Sequence, residues 1–287
     1  HPELVTSIRR KYQLKNTVGY GLNAFLDFEH PLDILVHLLI GAEGTLAFIA
    51  EAILETLPDL AFKATAMLYF ENPLMACNAI AGLKETGAAA LELMDRAALR
   101  SIEQNPYAPA ALKDLPENAT AILCEYHADS SEALAILLAN AQPVLGNLST
   151  VLPFDFSIDP VQQAKYWKLR KGMYPSVAAD REKGSTVLLE DIAFPVEVLG
   201  PAVLEVQELM IKHGFHNGII FGHAKEGNLH FVISQSFNHS SDVEAYELLA
   251  KDIAVLVLDK YKGSLKAEHG TGRQIAPFIA DEWGQEA

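Results

Sequence analysis

Two histidines lie seven residues apart in the stretch FGHAKEGNLHF, residues 221–231. Apolar residues on both sides of a polar break that contains Gly227 predict a β-hairpin. If the hairpin folds about Glu226–Gly227, His223 lies directly opposite His230 on one face. Side chains in such a pair have Cβ atoms about 4.5–5.5 Å apart, so two neutral imidazoles could share one divalent ion.

A third ligand is available in KAEHGTGR, residues 266–273, where Glu268 and His269 sit in a glycine-rich segment after a helix. Two histidines and one carboxylate leave an open position for water or substrate, which is the composition of a catalytic metal site. The alternative is an ordinary hairpin with one histidine hydrogen-bonded and the other solvated. Spacing alone does not decide between the two interpretations.

The elements that must position these residues alternate between short strands and longer helices. Pro58 closes an apolar block and marks a boundary. The strands, together with the hairpin near the end, predict an α+β fold, in which an antiparallel or mixed sheet of ferredoxin-like character carries helices on one face. We predict strands at 62–70, 120–127, 150–158 and 185–195, and helices at 72–87, 129–141, 160–177, 199–214 and 241–261.

Composition limits the classes of function. A formal charge of −15 argues against binding a nucleic acid or an anionic membrane surface. An anionic substrate would then need a local cation. Cys77 and Cys124 lie in apolar stretches and are expected to be reduced core thiols of a cytoplasmic protein.

No uninterrupted apolar run of membrane-spanning length and no signal peptide is present, so no integral membrane segment is expected. The start at His1 without a Met predicts a fragment or a processed product.

Three ordered motifs, IGAEGTLAFIAEAILETLP, FGHAKEGNLHF and KAEHGTGR, resemble the signatures of FAD-linked oxidases of the vanillyl-alcohol-oxidase superfamily, in the branch of D-lactate and D-2-hydroxyglutarate dehydrogenases. The stretches SIRRKYQLKNTVGYGLNAFLDF and AEHGTGRQIAPFIADEWG also resemble large bacterial members that fuse the flavin unit to an iron–sulfur region. The resemblance implies that residues 1–59 are the tail of an FAD-binding domain and residues 60–287 a substrate-binding domain.

The resemblance also implies roles for individual residues. His223, His230 and Glu268 would ligate a divalent metal, zinc above all, and His269 would be the base. Arg170, in YWKLRKG, would clamp the carboxylate of a small 2-hydroxy acid. Main-chain groups of the GAEGT segment would touch the flavin; its residues are Gly41, Ala42, Glu43, Gly44 and Thr45.

The chain departs from the family pattern in several places. It lacks the principal pyrophosphate-binding loop and the iron–sulfur cysteines, so FAD is expected only with the missing FAD-binding domain of the same polypeptide, and a cluster only in a missing C-terminal region. The fragment is expected to be inactive alone. Tyr174 and Val232 replace a small hydroxyl residue and an Asn, which leaves the identity of the hydroxy acid open. Glu190 and Asp191 are expected near the site, pairing with a basic residue or taking part in the chemistry.

Two rival functions remain open. A metal-dependent hydrolase could use the same ligands with an activated water and no flavin. A non-catalytic α+β binding module would carry structural histidines only. The amphipathic helix at 241–261 faces either a core or a partner, so a homodimer is possible, and the full-length enzyme could be peripheral to a membrane.

Overall fold

The computed structural model describes residues 2–285, which form two compact units. The first unit contains the chain up to Pro58, the segment Asp191–Pro195 and the chain from Ile253 onwards. The second unit contains Asp59–Glu190 and Val196–Asp252. The C-terminal segment therefore groups with the N-terminal one. The division into domains at residues 59 and 60 of the whole protein stays a prediction.

The structure contains six strands and eleven α-helices within residues 2–285. The strands are β1 (Phe62–Phe70), β2 (Ala90–Met94), β3 (Thr120–Ala128), β4 (Thr186–Ala193), β5 (Ile219–His223) and β6 (Asn228–Gln235). The helices are α1 (Pro2–Lys11), α2 (Ala24–Asp27), α3 (Pro31–Leu39), α4 (Pro73–Glu85), α5 (Arg96–Ser101), α6 (Ser131–Leu145), α7 (Pro160–Asp180), α8 (Leu199–Lys212), α9 (Ser240–Val255), α10 (Gly272–Ile275) and α11 (Ile279–Trp283).

The six strands form one sheet in the order β1-β3-β2-β5-β6-β4. Strand β2 pairs antiparallel with β3, where Glu92 is opposite Leu123, and with β5, where Glu92 is opposite His223. Opposite residues project to the same face, and every second residue of a strand shares that face. Glu125 therefore lies on the same face as Glu92 and His223.

This face is covered by α5 and α7. Leu99 of α5 and Met173 of α7 belong to a buried apolar cluster with Met67, Met94 and Phe221 of the sheet. Burial of such side chains contributes about 1.5–3 kcal/mol each, so α7 is held firmly across the strands.

The opposite face is covered by α4 and α6, which contact β1 and β3, and by α8, which packs on α4. Its residues Leu68, Leu93 and Ile122 are fully buried. The predicted α+β fold with an antiparallel sheet is confirmed, and α5 and α7 add a helical cover on the second face.

The helices begin where the sequence supplies capping groups. The side chains of Asn72, Asp95 and Asp159 each accept a hydrogen bond from a backbone N–H in the first turn of α4, α5 and α7. Pro73 and Pro160 follow two of these caps, at the position where a missing N–H costs nothing.

In the first unit, the N-terminal segment is joined to the C-terminal one by polar contacts around Glu282. Its buried carboxylate accepts hydrogen bonds from Lys11 Nζ at 2.8 Å, Asn16 Nδ2 at 2.9 Å and the backbone N–H of Leu265 at 3.1 Å. Trp283 Nε1 donates to the carbonyl of Val18 at 2.8 Å. These contacts fix the two segments against each other within this unit.

A run of large apolar side chains in the first unit is exposed. Residues 47–60 form neither a helix nor a strand. Phe48, Ile53 and Leu57 are each more than nine-tenths exposed, and Leu54 is 80% exposed. These side chains therefore expose apolar surface within one stretch of the chain.

The predicted core position of the two cysteines is confirmed. Cys77 and Cys124 are buried and not disulfide-bonded, and burial raises the pKa of each thiol to about 12. Among residues 2–285, none of the helices has the length and hydropathy that crossing a membrane requires.

Candidate active site

The predicted hairpin is formed by β5 and β6, but its register differs from the prediction. Phe221, and not His223, lies opposite His230. The reason is the turn, in which Ala224–Glu226 form a 3₁₀ helix and Gly227 takes a left-handed conformation (φ 69°) and donates its N–H to Ala224. This turn uses four residues, so the fold centres one residue earlier than Glu226–Gly227.

The two histidines still share one face and lie close together. The imidazole centroids of His223 and His230 are 5.4 Å apart, with the rings nearly perpendicular. Gly222, next to His223 on β5, allows the two strands to approach, because a Cβ there would lie 2.3 Å from the carbonyl oxygen of Asn228. The pairing is diagonal rather than direct, and it retains the proximity that a shared ligand needs.

A buried carboxylate, that of Glu92, connects His223 to Arg170. Glu92 Oε1 is 2.7 Å from Nδ1 of His223. Glu92 Oε2 is 3.0 Å from Nε of Arg170 and 2.8 Å from its Nη2. Glu92 is 5% and Arg170 8% exposed. Such a low exposure makes this a desolvated ion pair and not a surface salt bridge.

Two contacts hold helix α7 against the sheet face, one made by Arg170 and one by Trp167. The guanidinium lies over the ring of Phe221, with Cζ 4.4 Å from the centroid. One turn earlier, Trp167 Nε1 donates to Oε2 of Glu125 at 2.7 Å. Two buried carboxylates on neighbouring strands thus hold the helix, and the one at Arg170 also reaches a histidine.

Glu268 and His269 belong to the first unit, where Asp191 fixes their backbone. Asp191 Oδ2 accepts hydrogen bonds from the backbone N–H groups of Ala267 (3.1 Å), Glu268 (2.7 Å) and His269 (2.8 Å). The carboxylate is fully buried. Three N–H donors on one oxygen stabilise its charge and define the turn from which the two side chains project.

The side chains of this turn have charged neighbours within the first unit. Lys15 Nζ is 3.0 Å from Oε2 of Glu268. His269 Nε2 is 3.7 Å from Oε1 of Glu268, and Nδ1 of His269 is 4.0 Å from Oδ2 of Asp191. His269 therefore sits between two carboxylates.

Glu190, which was expected near the site, belongs to the second unit. Its Oε1 accepts a hydrogen bond from the Tyr246 hydroxyl at 2.7 Å. The residues that depart from the family pattern are Tyr174, which is 41% exposed on α7, and Val232, which is fully buried beside Ile219 in the sheet.

The GAEGT segment lines a cavity in the first unit. Gly41, Glu43 and Gly44 all have positive φ, between 53° and 77°, which allows a tight turn with its backbone turned outwards. The cavity measures about 580 Å³ and is mainly apolar; its lining includes Gly19, Tyr20, Gly41, Ala42, Thr45 and Trp283. This size is typical of a small-molecule or cofactor site.

The side chain of Glu43 has a structural role in the same cavity. Its carboxylate accepts the backbone N–H of Gly272 at 3.0 and 3.1 Å. A Cβ at Gly270 would meet the Glu43 carboxylate at 2.3 Å. The side chain of Glu43 therefore holds the GAEGT segment against the HGTG segment, residues 269–272.

The donor set of the second unit fits a zinc-type metal in part. Two imidazoles lie on one face, and one of them is oriented by a carboxylate, as metal-ligating histidines usually are. The predicted third ligand, Glu268, lies in the other unit, so the set of three stays a prediction. Sequence reasoning missed Glu92, although an acidic residue inside the apolar strand ALELM (90–94) was a visible signal.

Comparison with known proteins identifies the class. The family model of FAD linked oxidases, C-terminal domain, matches residues 60–287. The chain belongs to this family.

Three curated relatives share this class. The chain is 25% identical over 248 residues to the glycolate oxidase subunit GlcD of Bacillus subtilis, covering 85% of this chain and 50% of that protein. It is 21% identical over 277 residues to the mitochondrial D-lactate dehydrogenase (cytochrome) of Kluyveromyces lactis, with 95% and 44% covered. It is 28% identical over 276 residues to a D-2-hydroxyglutarate dehydrogenase of Xanthomonas citri pv. viticola, with 90% and 51% covered. The chain thus spans about half the length of these relatives.

Solved structures agree on the fold. An alkyldihydroxyacetonephosphate synthase matches with a TM-score of 0.57 at 16% identity, over 81% of this chain and 45% of that one. A 4-ethylphenol oxidase from Gulosibacter chungangensis matches with a TM-score of 0.50 at 10% identity, over 79% and 50%. At these identities the matches show a shared fold. The predicted membership of the FAD-linked oxidases is confirmed by the family model.

Proposed function

We propose that this chain is the substrate-binding part of a flavin-dependent dehydrogenase that oxidises a D-2-hydroxy acid, of the D-lactate or D-2-hydroxyglutarate type, to the 2-oxo acid. The observation that carries the proposal is the arrangement of Arg170, Glu92, His223 and His230 on one sheet face. The names of the relatives support the same class of substrate.

Arg170 would bind the substrate carboxylate. Its guanidinium is planar and presents several N–H donors, which suits two-point recognition of a carboxylate. Glu92 and Phe221 hold it in place, so little side-chain entropy is lost when the substrate binds.

His223, His230 and Glu268 would hold a divalent metal, and His269 would take the proton of the substrate hydroxyl. When bound, the metal would supply Lewis acidity at that hydroxyl, and the flavin would accept the hydride from Cα. Proton and hydride together account for the two electrons and two hydrogens that leave the hydroxy acid. Asp191 would keep the turn of Glu268 and His269 in place through its three backbone hydrogen bonds.

The GAEGT cavity would receive part of the flavin, and an FAD-binding domain of the same polypeptide would supply the rest of its site. The exposed apolar residues around Phe48 and Ile53 would be covered by that domain. The chain alone is therefore expected to bind FAD weakly and to show no turnover.

The test uses the polypeptide that includes the FAD-binding domain, assayed with D-lactate and D-2-hydroxyglutarate. Arg170→Lys keeps the charge and loses the planar fork, so kcat/KM should fall about 10- to 100-fold, the equivalent of about 1.5–3 kcal/mol for hydrogen bonds to a charged group. Lys168→Ala is the control. Lys168 lies on α7 like Arg170, but its exposed ammonium group contacts the hydroxyl of Tyr107, so its removal should change kcat/KM little. Equal effects of both variants would contradict the role of Arg170. Hydrolytic activity of the isolated chain without flavin would favour the hydrolase instead.

A further inference from the structure

The carboxylate of Glu92 serves two functional side chains at once, one with each oxygen. Oε1 faces Nδ1 of His223, and Oε2 faces Nε and Nη2 of Arg170. Strand pairing places it there, because Glu92 is opposite His223 in the β2–β5 ladder. The contact therefore depends on the sheet and not on a mobile loop.

The identity of the acceptor decides the tautomer of His223. A carboxylate paired with a guanidinium can only accept hydrogen bonds, so the proton of a neutral His223 must reside on Nδ1. Nε2 then carries the lone pair, and its direction is fixed by the hydrogen bond on the other side of the ring. This is how a carboxylate behind a histidine prepares it to ligate a metal.

We propose that Glu92 is a positioning residue that orients the metal-ligating nitrogen of His223 and the guanidinium of Arg170 together. The roles of His223 in metal binding and of Arg170 in substrate binding rest on the proposed function. The orientation of the two side chains by Glu92 rests on contacts within the second unit. Because Glu92 contacts both side chains, it would fix the distance between the substrate carboxylate, bound by Arg170, and the metal, bound by His223.

An amide cannot replace this carboxylate. In wild type, His223 and Arg170 donate to different oxygens of Glu92. Gln replaces one of these two oxygens with an NH₂ donor group, so only one of the two positions still accepts a hydrogen bond. With Arg170 as the stronger donor, the amide oxygen in the Glu92→Gln variant should turn to the guanidinium, and the NH₂ group should face the imidazole. His223 would then adopt the tautomer with its proton on Nε2, the atom that a metal needs unprotonated.

The experiment measures the imidazole tautomers by ¹⁵N NMR of histidine-labelled chain without added metal, at about pH 8, above the usual imidazole pKa. Wild type should show His223 protonated on Nδ1, and Glu92→Gln should move the proton to Nε2 or give a mixture. Glu125→Gln is the matched control, because Glu125 is an equally buried carboxylate on the same face that also holds α7, through Trp167. It should leave His223 unchanged.

A titration with Zn²⁺ on the same samples follows. Glu92→Gln should weaken binding about 10- to 100-fold, and Glu125→Gln should not.

A wild-type His223 protonated on Nε2 would overturn the inference, and this result does not require the variant to fold. An unchanged tautomer in a folded Glu92→Gln chain would also overturn it. If the tautomer shifts as expected but wild type binds no Zn²⁺, alone or with the FAD-binding domain, the positioning role stands and the proposed metal-assisted function falls.

Discussion

Asp95 should make the stability of this fold depend on pH. Its side chain is buried at the start of α5, where it accepts hydrogen bonds from the backbone N–H of Ala98 at 2.8 Å and from Gln207 Nε2 at 2.9 Å. Burial raises its pKa from 3.8 to about 6, although these hydrogen bonds favour the charged form. The carboxyl therefore binds its proton more tightly in the folded chain than in the unfolded one.

The sign follows from this difference in proton affinity. Protonation favours folding, so the contribution of Asp95 to the free energy of unfolding is greatest below about pH 4 and declines as the pH rises towards about 6. Above that value both states have lost the proton and no further change occurs. A pKa difference of about two corresponds to about 3 kcal/mol of stability lost across this window.

Asp95→Asn tests the argument, since an amide is neutral throughout and can still accept from Ala98. Urea unfolding gives the free energy of unfolding of wild type and variant at each pH. Between about pH 4 and pH 7, this free energy should fall by about 3 kcal/mol in wild type relative to the variant. Asp252→Asn is a control with the opposite sign, because hydrogen bonds from Lys212 and His213 lower the pKa of Asp252. A pH-independent difference between wild type and Asp95→Asn would refute the reasoning.

Two further predictions concern the site and the hairpin. His269→Ala, in the polypeptide with the FAD-binding domain, should lower kcat by about 100-fold or more, as expected for loss of a general base; near-normal turnover in a steady-state assay would remove His269 from that role. Gly222→Ala should lower the free energy of unfolding by about 1–3 kcal/mol, the usual cost of a side chain without space, because its Cβ would collide with the carbonyl of Asn228. In the same urea titration Gly172→Ala, with no atom closer than 3.9 Å to the new methyl, should be neutral or stabilising, and equal losses in both would contradict the steric argument.

Local sequence patterns predicted most elements of the second unit. The strand at 62–70 has the predicted bounds, and α4 and α7 begin beside the expected prolines, because alternation, capping and Pro positions act over a few residues. The strand predicted at 150–158 is wrong. Only a bridge between Thr65 and Ser157 forms there, since pairing depends on a neighbour that the segment itself does not specify.

The site was predictable in its residue types and less so in its geometry. The hairpin register depended on Gly227 closing a 3₁₀ turn, which shifted His223 from direct to diagonal pairing with His230. Glu92 escaped notice because its partners are 78 and 131 residues away in the chain. The side chain of Glu43, within the segment predicted to contact the flavin through its main chain, accepts a hydrogen bond from the backbone N–H of Gly272, a contact that only the fold reveals.

The most direct test of the proposed metal site is the metal content of the purified protein that includes its FAD-binding domain, beside the His223→Ala, His230→Ala double variant. The account predicts near-stoichiometric divalent metal in wild type and its loss in the variant. A wild-type protein that oxidises a D-2-hydroxy acid without bound metal, or a variant that retains the metal, would contradict it.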